Sequence, residues 1–416
     1  MIKLYFIQAF HLIKENKLIS FISIAGTAMA IAMIMVIILT LRVETANYLP
    51  ENKRDRTLYV KWMCTYWNGD ETSSSNGPMA VRTAKECFKD LTTAEQVCIL
   101  TFPYNKHLGS SAEGESMNIV LQQSDEAFWK IFDFSFMNGK PFDATDVESG
   151  LPKAVICESV ARKLFSTAEA TGRTIKINYT DYTVVGVVKD VSELSSTAYA
   201  EVWVPYTSTD IGKDVWSDVM GVMRVVILAH SSDDFPAIRE ECEKLRLKFN
   251  EQLKDQAIMY RGQPDTQFVY NNRKWANVAP DLNRIIIQYI IIISLLLLIP
   301  AINLSGMTLS RMRKRFPEIG VRKAFGASKN ELLWQILTEN FLYSLMGGIL
   351  GLLITYAASY LLKDMLFENA TLSLSMILDP VIFIVAFLFC LLLNLLSAGI
   401  PAWRAARMNI VSALSS

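Results

Sequence analysis

Charge is missing from four long stretches of this 416-residue chain: 18–41, 285–310, 340–362 and 380–403 contain no Asp, Glu, Lys or Arg. Each is long enough to cross the roughly 30 Å hydrocarbon layer of a bilayer. With 51% hydrophobic residues and a mean hydropathy of +0.25, the chain reads as a membrane protein rather than two soluble domains. No clear small-x-small site closes the first stretch, which is about twice as long as a usual signal h-region, so an uncleaved helix is expected there. No ionisable residue lies inside the four stretches, although Glu339 borders the third, which argues against a proton or ion relay through the bilayer centre.

Other absences exclude chemistry. Only His11, His107 and His230 are present, they are scattered, and none of the six cysteines forms a C-x-x-C, so no metal-ligand spacing exists. Nothing places a Ser or Cys nucleophile with a base. The phosphate-binding G-x-x-x-x-G-K-[ST] is absent; the Gly-Lys pair at 138–141 lacks the earlier glycine and the hydroxyl residue and reads as a turn. No catalytic residue, bound cofactor or metal is expected, and the chain is not expected to hydrolyse ATP.

Between the first two apolar stretches, residues 43–283 have mixed polarity, enough for one or two folded domains. This segment carries 26 Lys and Arg against 34 Asp and Glu, whereas the remainder carries 15 against 7. Basic residues cluster before the first stretch (Lys3, Lys14, Lys17), between the second and third (Arg311, Arg313, Lys314, Arg315, Arg322, Lys323, Lys329) and after the fourth (Arg404, Arg407). The positive-inside rule puts both termini in the cytoplasm and the large domain outside. Five cysteines, Cys64, Cys87, Cys98, Cys157 and Cys242, fall in that domain. Disulfides are chemically feasible there, but an odd number leaves at least one unpaired, and small buried hydrophobes are the favoured reading.

Residues 1–17 read as an amphipathic helix on the cytoplasmic face, with Lys3, Gln8, His11, Lys14 and Glu15 opposed by Phe6, Ala9, Phe10 and Ile13. In the outer domain, 56–63 reads as a strand, 68–78 as a polar loop, and the sequence from Val81 as a helix. Residues 174–191 read as a hairpin about Asn178 to Asp181, with two further strands in "EVWVPY" and "GVMRVVILA". A helix is expected over 232–253, with Ser232 and Asp233 as caps and Ile238, Cys242, Leu245 and Phe249 on one face. The domain is therefore mixed α and β.

A short basic segment follows the second apolar stretch. Pro317 suits a first helical turn, Glu318 its positive end, Lys323 its negative end and Gly326 the left-handed position after it. Ser328 and Glu331 then form a capping box for the next helix. A helix this short is marginal alone, so it rests on a partner surface or is a topology-setting basic loop; composition leaves the two even.

Residues 316–353, "FPEIGVRKAFGASKNELLWQILTENFLYSLMGGILGLL", resemble the cytoplasmic coupling segment and third helix of FtsX/MacB-type ABC transporter permeases. Residues 399–414 resemble the C-terminal signature of that family, and 128–190 its MacB-like periplasmic core domain. The implied architecture is a membrane protein with four transmembrane α-helices (18–41, 285–310, 332–362, 380–403) and a large mixed α+β extracytoplasmic domain, 43–283, containing an inserted subdomain at 128–200. A coupling segment at 311–331 and a tail at 404–416 complete it.

The resemblance implies that Pro317, Glu318, Ile319, Gly320, Val321, Arg322, Lys323, Ala324, Phe325, Gly326 and Ala327 contact a cytoplasmic ABC ATPase. Glu318, Arg322 and Lys323 would be polar contacts, and Ile319, Val321 and Phe325 packing ones. ATP and magnesium would sit on that separate subunit. A homodimer or a heterodimer with a related permease is expected, in contact with membrane lipid in a bacterial inner membrane. A periplasmic adaptor and an outer-membrane protein are further candidate partners; nucleic acid is not. Export of peptides, antibiotics or similar cargo is the preferred role, against lipoprotein release and FtsX-like control of cell-wall hydrolases. Gly347 and Gly351, with Gly348 beside them, permit close approach to another helix; Pro300, Asn303 and Asn394 read as structural.

Overall fold

The computed structural model describes residues 17–67, 69–102, 106–193, 195–209, 217–295 and 328–361, with single positions or short runs elsewhere. The chain divides into a unit made of Met1–Leu41, Ile286–Lys363 and Ser373–Ser416, and an outer unit built on Arg42–Ile285.

In the first unit, α1 (Lys17–Thr45) and the long helix over Lys329–Leu361 are continuous. Among the described residues one segment, Leu333–Ala358, is long and apolar enough to cross a membrane, and Ser20–Met35 and Leu282–Leu295 are shorter apolar helices. Ala30, Ile31, Ile34 and Met35 form a small core with Ile293, Phe383 and Phe387. Of the expected N-terminal amphipathic helix, Ile7, Phe10 and Ile13 are described, all helical. The inner half of the second span with Pro300 and Asn303, the 363–379 loop, Asn394 and the tail lie outside the described residues.

The outer unit is organised by one mixed sheet. Its strands are β1 (Thr57–Val60), β4 (Gln96–Thr101), β5 (Lys106–Ser111), β6 (Ser116–Ser124), β7 (Phe136–Gly139), β8 (Lys153–Cys157), β9 (Thr174–Ile177), β10 (Thr180–Val188), β11 (Val202–Pro205) and β12 (Met223–Leu228). They run in the order β1-β12-β4-β6-β11-β8-β10-β9-β5, with β7 on β10 and β5 also on β6. The pairs β8–β10 and β6–β11 are parallel and the other pairings antiparallel. β8 and β12 read as near-continuous apolar runs because both faces are covered. Residues 128–200, expected as an inserted subdomain, supply β7 to β10 to this sheet alongside strands from before and after them.

A separate antiparallel sheet holds β13 (Gln256–Met259), β2 (Met63–Trp67) and β3 (Asp70–Gly77). Two expectations are corrected here. The strand foreseen over 56–63 breaks at Lys61 and Trp62, where the chain leaves one sheet for the other. The foreseen polar loop 68–78 contains β3, whose Asp70, Ser74, Ser75, Asn76 and Gly77 pair with β2; cross-strand hydrogen bonding overrides a weak local propensity.

The hairpin turn falls on Asn178 and Tyr179, with φ of 47° and 71°, the two left-handed residues of a type I′ connection. Gly139 closes β7 at φ +70°, where a Cβ would lie 2.1 Å from the Val185 carbonyl, so the Gly-Lys pair is a sheet contact. The main core gathers Phe128, Trp129, Phe132, Phe134, Phe136, Phe142 and Trp203, with ring centroids 4.8 to 6.0 Å apart along the cluster. The helix Phe235–Asn250 buries Ile238, Cys242, Arg246 and Phe249. The expected caps Ser232 and Asp233 instead lie in a short 3-10 turn, Ser232–Asp234, that leads into the helix; Ser231 and Asp234 form the capping box of that turn, and the helix itself begins at Phe235.

Candidate functional site

Within 317–327, the stretch expected to contact the ATPase, four positions are described. Val321 is 45% exposed and helical, and its carbonyl accepts from the Phe325 amide at 3.1 Å. Ala324 is exposed, and the Phe325 ring is 89% exposed. Gly326 takes φ +92°, the left-handed conformation that ends a helix at least cost. Pro317, Glu318, Ile319, Gly320, Arg322, Lys323 and Ala327 lie outside the described residues. The Ser328 amide then donates to Glu331 Oε2 at 2.8 Å while the Glu331 amide donates to Ser328 Oγ at 3.3 Å. This reciprocal cap starts the helix Lys329–Leu361.

That helix presents its small residues to its neighbours. A Cβ on Gly347 would stand 2.6 Å from Thr27 Cβ, and one on Gly351 2.8 Å from the Ala28 carbonyl, so both glycines lie against α1. Gly348 lies against Phe387. Nearby, Ser20 Oγ and the Tyr343 hydroxyl share a 3.0 Å hydrogen bond.

The outer unit is fastened where the chain enters and leaves it. At the entrance, Glu51 and Arg54 form a buried ion pair, Nε to Oε2 at 2.7 Å. Arg54 also donates to the Tyr48 hydroxyl and the Ala46 carbonyl, and Glu51 Oε1 accepts from the Thr197 and Ala198 amides at 3.0 and 2.9 Å. At the exit, the buried Arg273 grips Asp265 with two nitrogens and donates to the Arg261 and Val278 carbonyls. Burial raises the Asp265 carboxyl above its ordinary range, and Arg273 opposes that rise.

Between the two, Arg224 is 2% exposed and donates to the carbonyls of Thr101 and Thr197 and to the Tyr270 hydroxyl, at 3.0 to 3.2 Å. A continuous run of hydrogen bonds therefore leads from Glu51 through Thr197 and Arg224 to Tyr270. Sequence reasoning missed these residues, because isolated charges beside a membrane helix look solvated; the only local signal is the Glu51-to-Arg54 spacing of three.

Cys64, Cys87, Cys98, Cys157 and Cys242 are buried free thiols. Burial pushes Cys87 up to about 11 and raises Cys98, Cys157 and Cys242 as well, which suits packing and not reactivity.

Residues 20–245 match the model of the MacB-like periplasmic core domain, and residues 290–410 that of the FtsX-like permease C-terminal domain. The protein belongs to this family: it is an ABC transporter permease of the MacB/FtsX type, a membrane protein with an extracytoplasmic domain. It is 23% identical over 354 residues to the uncharacterized ABC transporter permease YknZ of Bacillus subtilis (strain 168), covering 84% of this chain and 83% of YknZ.

Identity is 26% over 301 residues to the macrolide export ATP-binding/permease protein MacB of Pasteurella multocida (strain Pm70), 72% of this chain and 43% of MacB. It is 27% over 295 residues to the pyoverdine export ATP-binding/permease protein PvdT of Pseudomonas aeruginosa, 70% of this chain and 41% of PvdT. The chain thus spans less than half the length of these two ATP-binding/permease proteins. Among solved structures, the extracellular domain of YknZ from Gram-positive bacteria aligns at 19% identity, 48% of this chain and 99% of that one, with a TM-score of 0.35. The periplasmic region of MacB from Actinobacillus actinomycetemcomitans aligns at 17%, 52% and 92%, also with a TM-score of 0.35.

Proposed function

We propose that this chain is the membrane subunit through which a separate cytoplasmic ATPase drives its outer domain, and that the driven work is export of peptide- or antibiotic-class cargo. The observation that carries the coupling reading is the exposed pair Val321 and Phe325 placed directly ahead of a capped helix. Two uncovered apolar side chains on a short helical turn suit a groove on a partner, and the capping box passes displacement of that turn into the helix Lys329–Leu361. The cargo class rests on kinship with proteins named for macrolide and pyoverdine export.

The test is purification of the tagged full chain from native membranes under nucleotide-trapping conditions, beside Phe325→Asp. The wild type is expected to retain a subunit bearing a phosphate-binding loop and the variant to lose it while keeping its membrane level. Retention by both would remove Phe325 from the contact. A stable cell-wall hydrolase complex without cargo would replace export by regulation.

A further inference from the structure

Two Lys-Trp pairs far apart in sequence, Lys61-Trp62 and Lys274-Trp275, are brought together on the outer unit through their indoles. The indole rings of Trp62 and Trp275 stand 6.1 Å apart at 40°. The Lys61 ammonium lies 5.1 Å from the Trp62 ring and 5.3 Å from the Tyr270 ring. Among the described residues its one hydrogen bond is a 3.3 Å contact to the Arg273 carbonyl, which leaves two of three donors unused.

The surroundings are short of negative charge. Tyr270 also holds the buried Arg224, and no carboxylate among the described residues lies within ion-pair distance of that guanidinium. Asp265 is close enough to act on Lys61, but both its oxygens are engaged by Arg273. Burial, Arg224 and Arg273 accordingly hold the Lys61 ammonium below its usual pKa. Lys61, Arg224 and Arg273 thus set three cations against Asp265, on which Arg239 also acts, and the one further carboxylate on the adjoining segment is the exposed Asp281, a balance that favours an added anion.

The rim is apolar. Trp275 is 62% exposed and Val278 64%, and the exposed Leu282 opens the apolar helix beyond them. Trp275 precedes the apolar helix Leu282–Leu295 by so few residues that the chain between them spans at most about 25 Å. Indole beside lysine is the composition of a membrane interface, where the ring sits at headgroup depth and the ammonium meets phosphate.

We propose that Lys61, Trp62, Lys274 and Trp275 form a binding site for the phosphodiester headgroup of an anionic phospholipid, with Arg224 as the buried charge behind it. The exposed apolar rim selects a lipid over free phosphate, because Val278 and Leu282 have acyl chain to cover them. The site depends on the adjoining apolar helices being in a bilayer and is independent of the coupling role of Phe325.

The test uses the delipidated full chain in nanodiscs of phosphatidylcholine, with or without phosphatidylglycerol brominated near the headgroup. The signal is the indole emission of the wild type minus that of Trp275→Phe. Quenching of this difference by the brominated lipid is expected, with about ten-fold weaker retention of phosphatidylglycerol, read by native mass spectrometry, in Lys61→Gln/Lys274→Gln. An unquenched difference signal, or a double variant that retains the lipid like the wild type, overturns the proposal. Inorganic phosphate shifting the emission at the same molarity as short-chain phosphatidylglycerol would make this a free-anion site and also overturn the lipid assignment. None of these outcomes bears on ATPase association, which Phe325→Asp reads separately.

Discussion

Glu241 is a carboxylate on the helix Phe235–Asn250 that ties down a neighbouring loop. It accepts from the amides and hydroxyls of both Thr92 and Thr93, at 2.6 to 3.0 Å. Burial pushes its carboxyl up, but these four bonds outweigh burial and hold it at about 2, below the ordinary 4.5. A folded pKa below the unfolded one means stability that is complete above about pH 4.5 and lost as pH falls toward 2. Glu241→Gln is expected to cost about 2 kcal/mol at neutral pH and to flatten the acid limb of the stability profile. Thermal unfolding of the full chain in detergent, repeated across that range, checks it; an unchanged acid limb would show that the threonine bonds do not form in solution. Nothing in the local sequence announces this contact, since Glu241 sits in an ordinary charged helix face and its acceptors lie far away in the chain.

Elements with strong periodicity were legible. The hairpin β9–β10 could be foreseen because Ile175, Ile177, Tyr182 and Val184 alternate with polar residues about Asn178. By contrast, β3 was hidden because Asp-Glu-Thr-Ser-Ser-Ser-Asn-Gly has a loop composition, and only β2 makes it a strand. The packing of Gly347 and Gly351 was half legible: the spacing indicates a close approach, but α1 as the surface approached is a tertiary fact. Gly351→Leu is expected to force α1 away, because the first added carbon already meets backbone at 2.8 Å. A loss of about 1–3 kcal/mol follows from such overpacking, and it would appear as a lower melting temperature in detergent. Gly348→Ala should be milder, since it meets a side chain that can turn. Equal stability of the Gly351 variant and the wild type would mean that these helices do not touch as described.

At the scale of the whole outer unit, the buried hydrogen-bond run ties its entrance segment to its exit segment. Arg224 is its centre, bonded toward the entrance through Thr197 and toward the exit through Tyr270. Arg224→Met is therefore expected to raise amide exchange at 197–198 and 266–273 together, while the distant β5–β9 pairing stays protected. Hydrogen-exchange mass spectrometry on the full chain checks this, and a response in one connection alone would separate them. None of this was readable beforehand, because a lone Arg in a β-strand gives no hint of what lies across the fold.

The join itself is short. Tyr59 of β1 and Asp265 exchange two backbone hydrogen bonds, each 2.8 Å, so the chain returns to its starting point before it leaves the domain. To the helices on either side, the long excursion therefore resembles a much shorter loop. Loop-closure cost depends on the length left open, and once β1 has closed on Asp265, that length falls from the whole domain to the two connecting segments, 46–58 and 266–281. The outer domain is in this sense a cassette, and its size and decoration can be exchanged with little entropic penalty to the helices that carry it.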